Sequence, residues 1–121
     1  MRATVDAPAT VPVLAAPPTL TASRGPSQVV VTVTGYQPSP SGPVQAVVEA
    51  RCGAAQKEIG RFGIMSPTPF SAADTARTQR FSLPLGSDTS CRRPDSVTIR
   101  LVPSRGDGRG AAIEIGSAQL K

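Results

Sequence analysis

The chain has 121 residues, which is enough for one packed domain and too few for two. It contains no histidine, and this excludes Ser-His-Asp and Cys-His catalysis and the usual zinc and copper sites. The formal net charge is +5, but the basic residues are dispersed and do not alternate with aromatics, so we expect a solvated arginine-rich surface and no nucleic-acid partner.

Turn-forming residues are abundant. Thirteen prolines and eleven glycines favour short strands over helices, because both residues are unfavourable inside a helix. No apolar run approaches the ~20 residues that a helix needs to cross a bilayer, so we expect no membrane partner. The N-terminal residues lack the uninterrupted apolar region of a signal peptide. The chain is then cytosolic, or it is a piece whose export signal lies elsewhere.

The chain divides into two parts by composition. Residues 1–26 are rich in Ala, Pro and Thr and are predicted to form an extended arm or linker, because proline fixes extended backbone and removes amide donors. One short edge strand is expected near residues 11–14. Residues 27–121 are predicted to form a β-sandwich domain.

Alternation of apolar and polar residues predicts the strands of this domain. The clearest case is residues 44–52, in which Val44, Ala46 and Val48 alternate with Gln45 and other residues of the opposite face. The predicted strands cover residues 28–35, 44–52, 57–64, 78–85, 95–103 and 111–120. Pro84 indicates an edge position for the fourth of them. This spacing predicts an all-β fold of six to seven strands, as an antiparallel β-sandwich or a partly open barrel.

The connection over residues 65–77 is long for a compact domain, which indicates a functional or mobile segment. Its second half, SAADTAR, is able to form one helical turn with Ser71 as the cap.

Cys52 and Cys91 are the two cysteines of the chain. A disulfide between them would close a loop of about 40 residues and would stabilise the fold by roughly 3 to 4 kcal/mol in the loop-entropy model. In a reducing compartment they would instead be two small buried residues. Both alternatives stay open. With Met65 they form a conceivable set of soft copper ligands, although core packing or a disulfide explains Cys52 better.

No constellation of residues indicates catalysis. The eight acidic residues are dispersed, and no two have the spacing of a shared catalytic site. Glu49 and Arg51 share one face of a predicted strand, which is typical of a surface pair. The stretch SRGDGRG (104–110) lacks the helix start and GK[ST] of a phosphate loop and the oxygen ligands of a calcium site. Its Arg105-Gly106-Asp107 triplet allows an adhesion motif, but a hairpin loop is the favoured alternative.

Residues 93–120, RPDSVTIRLVPSRGDGRGAAIEIGSAQL, resemble the closing β-hairpin of the C-terminal domain of plant and bacterial polyphenol oxidases (tyrosinases and catechol oxidases). In that hairpin a DSVxVxLVPR strand is followed by a loop and an IxIGxIxI strand. Residues 43–53 and 57–64 follow the order of two earlier strands of the family, KFDVYVN and EFAGSF, and QRFSLPL follows in register. The resemblance covers about residues 28–120. KFDV itself is absent and the loops differ, so the subfamily stays open.

The resemblance implies a non-enzymatic β-sandwich that packs over the dicopper site of a tyrosinase-type catalytic domain and keeps that enzyme latent. The partner would be covalently attached or separate. All copper ligands would be histidines of the partner, so no cofactor is expected in this chain. Phe70 is the candidate plug of the partner's entrance, with Met65 and Tyr36 as further candidates. The alternative is that Phe70 caps the core of the sandwich.

A second interpretation is an immunoglobulin-like or fibronectin-like module of a secreted protein, which binds protein or glycan through its loops. A histidine-rich dicopper domain encoded upstream of Met1 would distinguish the first interpretation from the second.

Overall fold

The structure, a computed structural model, describes residues 1–14, 28–64, 68–85 and 94–120. Its strands are β1 (Arg2–Thr4), β2 (Ala9–Leu14), β3 (Gln28–Gln37), β4 (Val44–Cys52), β5 (Ala55–Phe62), β6 (Gln79–Pro84), β7 (Ser96–Pro103) and β8 (Ala112–Leu120). One short 3₁₀ turn spans Thr75–Arg77. The predicted all-β class is confirmed.

The strands form a single mixed sheet that is nearly closed into a barrel. Their order is β5-β4-β7-β2-β8-β3-β6, and β1 pairs with β8 beside this path. Neighbours are antiparallel except where β2 runs parallel to β8 at Val13 and Leu14. The described residues therefore hold eight strands and one parallel pairing, where six to seven antiparallel strands were expected.

Side chains close the barrel where its two end strands, β5 and β6, face each other. The rings of Phe62 and Phe81 stack across this seam with centroids 4.1 Å apart and planes inclined by 12°. Gly60 leaves room for Leu83, because a Cβ at Gly60 would lie 2.7 Å from Leu83 Cδ2. Since β6 pairs only with β3 in the described sheet, the edge position that Pro84 indicated is confirmed.

The core is aliphatic and comes from the inward positions of the strands. In β7, Val97, Ile99 and Leu101 are buried, whereas Arg100 between them is exposed. The same alternation places Val29, Val31 and Val33 of β3 in the core. Since side chains alternate between the two faces of a strand, this period fixes which residues the barrel encloses.

The N-terminal strands correct one prediction. Strand β2 lies between β7 and β8, not at an edge: Ala9 to Pro12 pair with β7, and Val13 and Leu14 pair with β8. Ala9 and Val11 are buried, and this apolar alternation draws the segment into the sheet despite Pro12. Residues 1–14 are therefore part of the barrel. The rest of the predicted arm, residues 15–26, lies outside the described residues.

The insertion of β2 also corrects the expected closing hairpin. Strands β7 and β8 flank β2 and do not pair with each other.

The expected helical turn is a 3₁₀ turn that starts later than predicted. Asp74, not Ser71, occupies its N-terminal cap position, and the Asp74 N–H donates to the Ser71 carbonyl at 2.9 Å.

Candidate functional site

A surface cavity of about 290 Å³ lies at one end of the barrel, where β3, β8 and β1 meet the segment 70–72. We call it the Tyr36 cleft. It is lined by Arg2, Gly35, Tyr36, Gln37, Phe70, Ser71, Ala72, Ala112 and Glu114. Tyr36 is positioned by two neighbours: its backbone pairs with Ile113 of β8 on one side and with Phe70 on the other.

Phe70 extends the sheet at the end of β3. The Tyr36 N–H donates to the Phe70 carbonyl at 2.9 Å, and the Phe70 N–H donates to the Tyr36 carbonyl at 3.1 Å. The two rings lie 6.1 Å apart between centroids, at an angle of 42°. Only 6% of Phe70 is exposed, and its ring belongs to the core cluster.

Arg77 holds the Phe70 segment in place. Its guanidinium donates to the carbonyls of Thr68 and Pro69, each at 3.0 Å, and to Thr68 Oγ1 at 2.6 Å. The same group lies 5.1 Å from the centre of the Phe70 ring, within the range of a cation–π contact. The candidate plug therefore lies inside the protein. In this position Phe70 caps one end of the barrel, which is the alternative that the sequence left open; its role as a plug stays a prediction.

Tyr36 is half-buried and packs against the core from the rim of the cleft. Burial raises the pKa of the Tyr36 phenol above its ordinary value. A tyrosine phenol is protonated in the physiological pH range even at its ordinary pKa, so Tyr36 is available as a hydrogen-bond donor.

The cleft also carries an exposed ion pair. Arg2 Nη1 lies 3.6 Å from Glu114 Oε1, with 61% and 42% of the two side chains exposed. At this exposure the pair contributes little to stability. Both groups are accessible to a partner, and the cleft therefore combines an aromatic wall with charges of both signs.

The other residues that the sequence singled out lie away from the Tyr36 cleft or outside the described residues. Met65 and Cys91 are outside the described residues. Cys52 ends β4 and is disulfide-bonded; its pairing with Cys91 stays a prediction.

Glu49 pairs with Arg100 of β7, whose Nε lies 3.2 Å from Glu49 Oε1, and not with Arg51 as expected. The strand register explains this, because β4 and β7 are direct neighbours.

The loop SRGDGRG is folded against the β3–β4 connection. Asp107 Oδ1 accepts a hydrogen bond from the Ser41 hydroxyl at 2.9 Å and one from the Arg109 N–H at 3.0 Å. Gly106 has a φ of +63°, and a Cβ there would lie 2.6 Å from the Ser41 carbonyl oxygen. The glycine and the carboxylate thus serve the packing of two loops. This accounts for the triplet as a turn, although β2 keeps it from closing a hairpin.

Replacing Asp107 by asparagine is expected to change how stability depends on pH. The Arg109 N–H and then the Ser41 hydroxyl lower the pKa of Asp107 below its ordinary value. A lowered pKa contributes stability above the unfolded-state pKa and loses it as the pH falls through the folded-state pKa, so the loss begins below about pH 4. The unfolding temperature of the wild type should therefore exceed that of the variant at about pH 6, and this gap should narrow towards about pH 3. A gap that is constant over this range would contradict the assignment.

Sequence reasoning missed two residues of the site, Arg77 and Arg2. Nothing local marks Arg77 as the side chain that holds the Phe70 segment, because its hydrogen-bond acceptors lie eight and nine residues earlier in the chain. Arg2 was assigned to an arm, and only its pairing with Glu114 across β1 and β8 brings it to the cleft.

The described residues contain no group of three or more His, Cys, Asp or Glu side chains that could hold a metal ion. Within the same part of the chain, no helix has the length and apolar character needed to cross a membrane. No protein-family model, curated protein or solved structure matches the chain. The resemblance to the polyphenol oxidase C-terminal domain therefore stays a prediction.

Proposed function

We propose that the chain is a non-catalytic domain that packs over the catalytic domain of a dicopper phenol oxidase, with the Tyr36 cleft at the contact. The observation that supports this is the cleft itself. It brings a half-buried phenol, an aromatic wall and an exposed ion pair together at one end of a barrel. Protein interfaces are enriched in tyrosine and arginine, because these side chains combine a large contact area with directed polar groups. The cleft offers both residue types.

Tyr36 is the best candidate for the residue that meets the partner's entrance. Phe70 is buried, whereas part of Tyr36 is accessible. The Tyr36 backbone is hydrogen-bonded within the sheet, so a partner that contacts the ring does not have to order the backbone. A site that admits phenols fits a phenol side chain.

The mechanism is occlusion without chemistry. This chain has no histidine, and the copper would be held by the partner. The barrel supplies a rigid support, and Arg77 and Phe70 fix the wall beside Tyr36. Arg2 and Glu114 at the rim would form ion pairs with charged groups of the partner. Such pairs determine the orientation of the two domains more than the affinity between them. Substrate would be excluded for as long as the two domains stay in contact.

Replacing Tyr36 by alanine is expected to weaken the inhibition of such an enzyme. The purified chain is titrated into a dicopper phenol oxidase catalytic domain that lacks its own covering domain, and the rate of diphenol oxidation is followed. Wild type should lower the rate to a plateau at one chain per catalytic domain. Tyr36→Ala should raise the inhibition constant at least about tenfold, which corresponds to about 1.4 kcal/mol.

Two further variants control this titration. Tyr36→Phe keeps the ring and should retain most of the inhibition. Gln56→Ala, at an exposed position of β5 away from the cleft, should inhibit as wild type does. Equal inhibition by wild type and Tyr36→Ala would remove Tyr36 from the contact. An oxidase rate that does not change at any chain concentration would reject the proposed function.

A further inference from the structure

We propose that residues 1–14 form an exchangeable strand segment, and that the groove between β7 and β8 also accepts this segment from a second copy of the chain. The segment is β1 and β2 with the turn between them. The groove, called the β7–β8 groove below, is the space that β2 occupies in the barrel.

Both edges of the β7–β8 groove pair with β2. Its β7 side pairs with Ala9 to Pro12, and its β8 side pairs with Val13 and Leu14. The Val13 N–H also donates to the Asp95 carbonyl at 3.0 Å. Because β7 and β8 do not pair with each other, departure of the segment would leave two facing strand edges with unpaired backbone groups. Such edges recruit another strand, and an identical segment reproduces every contact.

The segment is anchored by small side chains. Ala3, Ala9 and Val11 are its buried residues, whereas the Ile, Leu and Phe side chains of the core come from the rest of the chain. Pro12 lies in the ladder with β7 and supplies no N–H donor. Because its buried side chains are few and Pro12 supplies no backbone donor, we expect the segment to open before the rest of the barrel.

The chain is long enough for the exchange. Thirteen residues, 15–27, join Leu14 to Gln28. At about 3.3 Å per residue they span up to about 43 Å when extended. A folded chain of this size has a radius of gyration of about 14 Å, so the segment can reach a neighbouring copy without unfolding the remaining strands.

Two variants of the full chain, each with one cysteine added to Cys52 and Cys91, test the proposal. Thr10 and Thr98 face each other across β2 and β7, with their Oγ1 atoms 3.3 Å apart. Thr10→Cys chains and Thr98→Cys chains are mixed at high concentration, incubated, and oxidised mildly. The expected product is a covalent heterodimer in which the two introduced thiols are joined, identified by mass spectrometry of its peptides. Its yield should rise with protein concentration during incubation.

The matched control pairs Thr10→Cys with Gln56→Cys, whose thiol lies at an exposed site of β5. The double variant Thr10→Cys/Thr98→Cys at low concentration should close within one chain and so shows that the geometry permits the bond. Interchain yield no higher than in the Gln56→Cys control, with normal closure in the double variant, would overturn the proposal.

A second measurement keeps the test decisive if the cysteine variants do not fold. A fluorescent peptide with the sequence of residues 1–14 is incubated with the unmodified chain, and its anisotropy is followed over days. Slow, saturable binding is expected, and a Val11→Asp version of the peptide should fail to bind because Val11 is buried in the groove. Absence of binding by the unaltered peptide would equally overturn the proposal. Neither experiment involves a phenol oxidase, so either result leaves the proposed function to its own test.

Discussion

Replacing Ile99 by alanine is expected to lower the free energy of unfolding by about 3 to 4 kcal/mol, which is typical of a fully buried isoleucine. Ile99 is 0% exposed and lies at the middle of β7. Its direct neighbours across the sheet are Ala9 of β2 and Val48 of β4. Because Ala9 is small, and a sheet position cannot shift without breaking its ladder, the cavity would be filled poorly.

Urea unfolding of the two proteins measures this difference. The urea midpoint should fall, while the slope of the free energy of unfolding against urea concentration stays the same. An unchanged slope indicates that the surface area exposed on unfolding is unchanged. Gln56→Ala, exposed on β5, should remain within about 0.5 kcal/mol of wild type. A loss below about 1 kcal/mol in Ile99→Ala would mean that β7 does not occupy the centre of the barrel.

Replacing Phe70 by alanine is expected to cost about 3 kcal/mol and to change the surroundings of Tyr36. The ring is buried, lies against Tyr36, and lies beneath the Arg77 guanidinium. Since burial is what raises the pKa of Tyr36, loss of the neighbouring ring should move that pKa back towards its ordinary value.

Tyr36 is itself the probe, because the chain contains one tyrosine and no tryptophan. Its fluorescence and the absorbance of its tyrosinate form report directly on this site. The matched control is Phe81→Ala at the β5–β6 seam, which removes the stacking partner of Phe62. That variant should lose stability without altering the titration of Tyr36. An unchanged Tyr36 titration in Phe70→Ala would contradict the packing of the two rings.

The strands with strict alternation could be predicted from the sequence. Val97, Ile99 and Leu101 alternate with Thr98 and Arg100, and β7 forms there because a period of two depends only on neighbouring residues. The same holds for β4 and β3. The order of the strands is a different matter, since it depends on which edges meet in space. Strand β2 shows this: Pro12 indicated an arm, yet Ala9 and Val11 are buried between β7 and β8.

The candidate site could be predicted only in part. Phe70 and Tyr36 were both named from the sequence, but their mutual contact joins a long connection to the end of β3. Burial of Phe70 depends on this contact and on Arg77, and neither follows from local pattern. The structure buries the Phe70 ring and leaves the phenol beside it partly accessible.

We propose that this domain acts by covering a partner, with any phenol oxidation performed by that partner. The most direct measurement dialyses the purified chain against copper, removes unbound metal, and follows oxygen uptake with a diphenol in the absence of any other protein. We expect substoichiometric copper and a rate equal to that of the metal-free buffer. Stoichiometric retained copper together with catalytic turnover of the diphenol by the chain alone would contradict it.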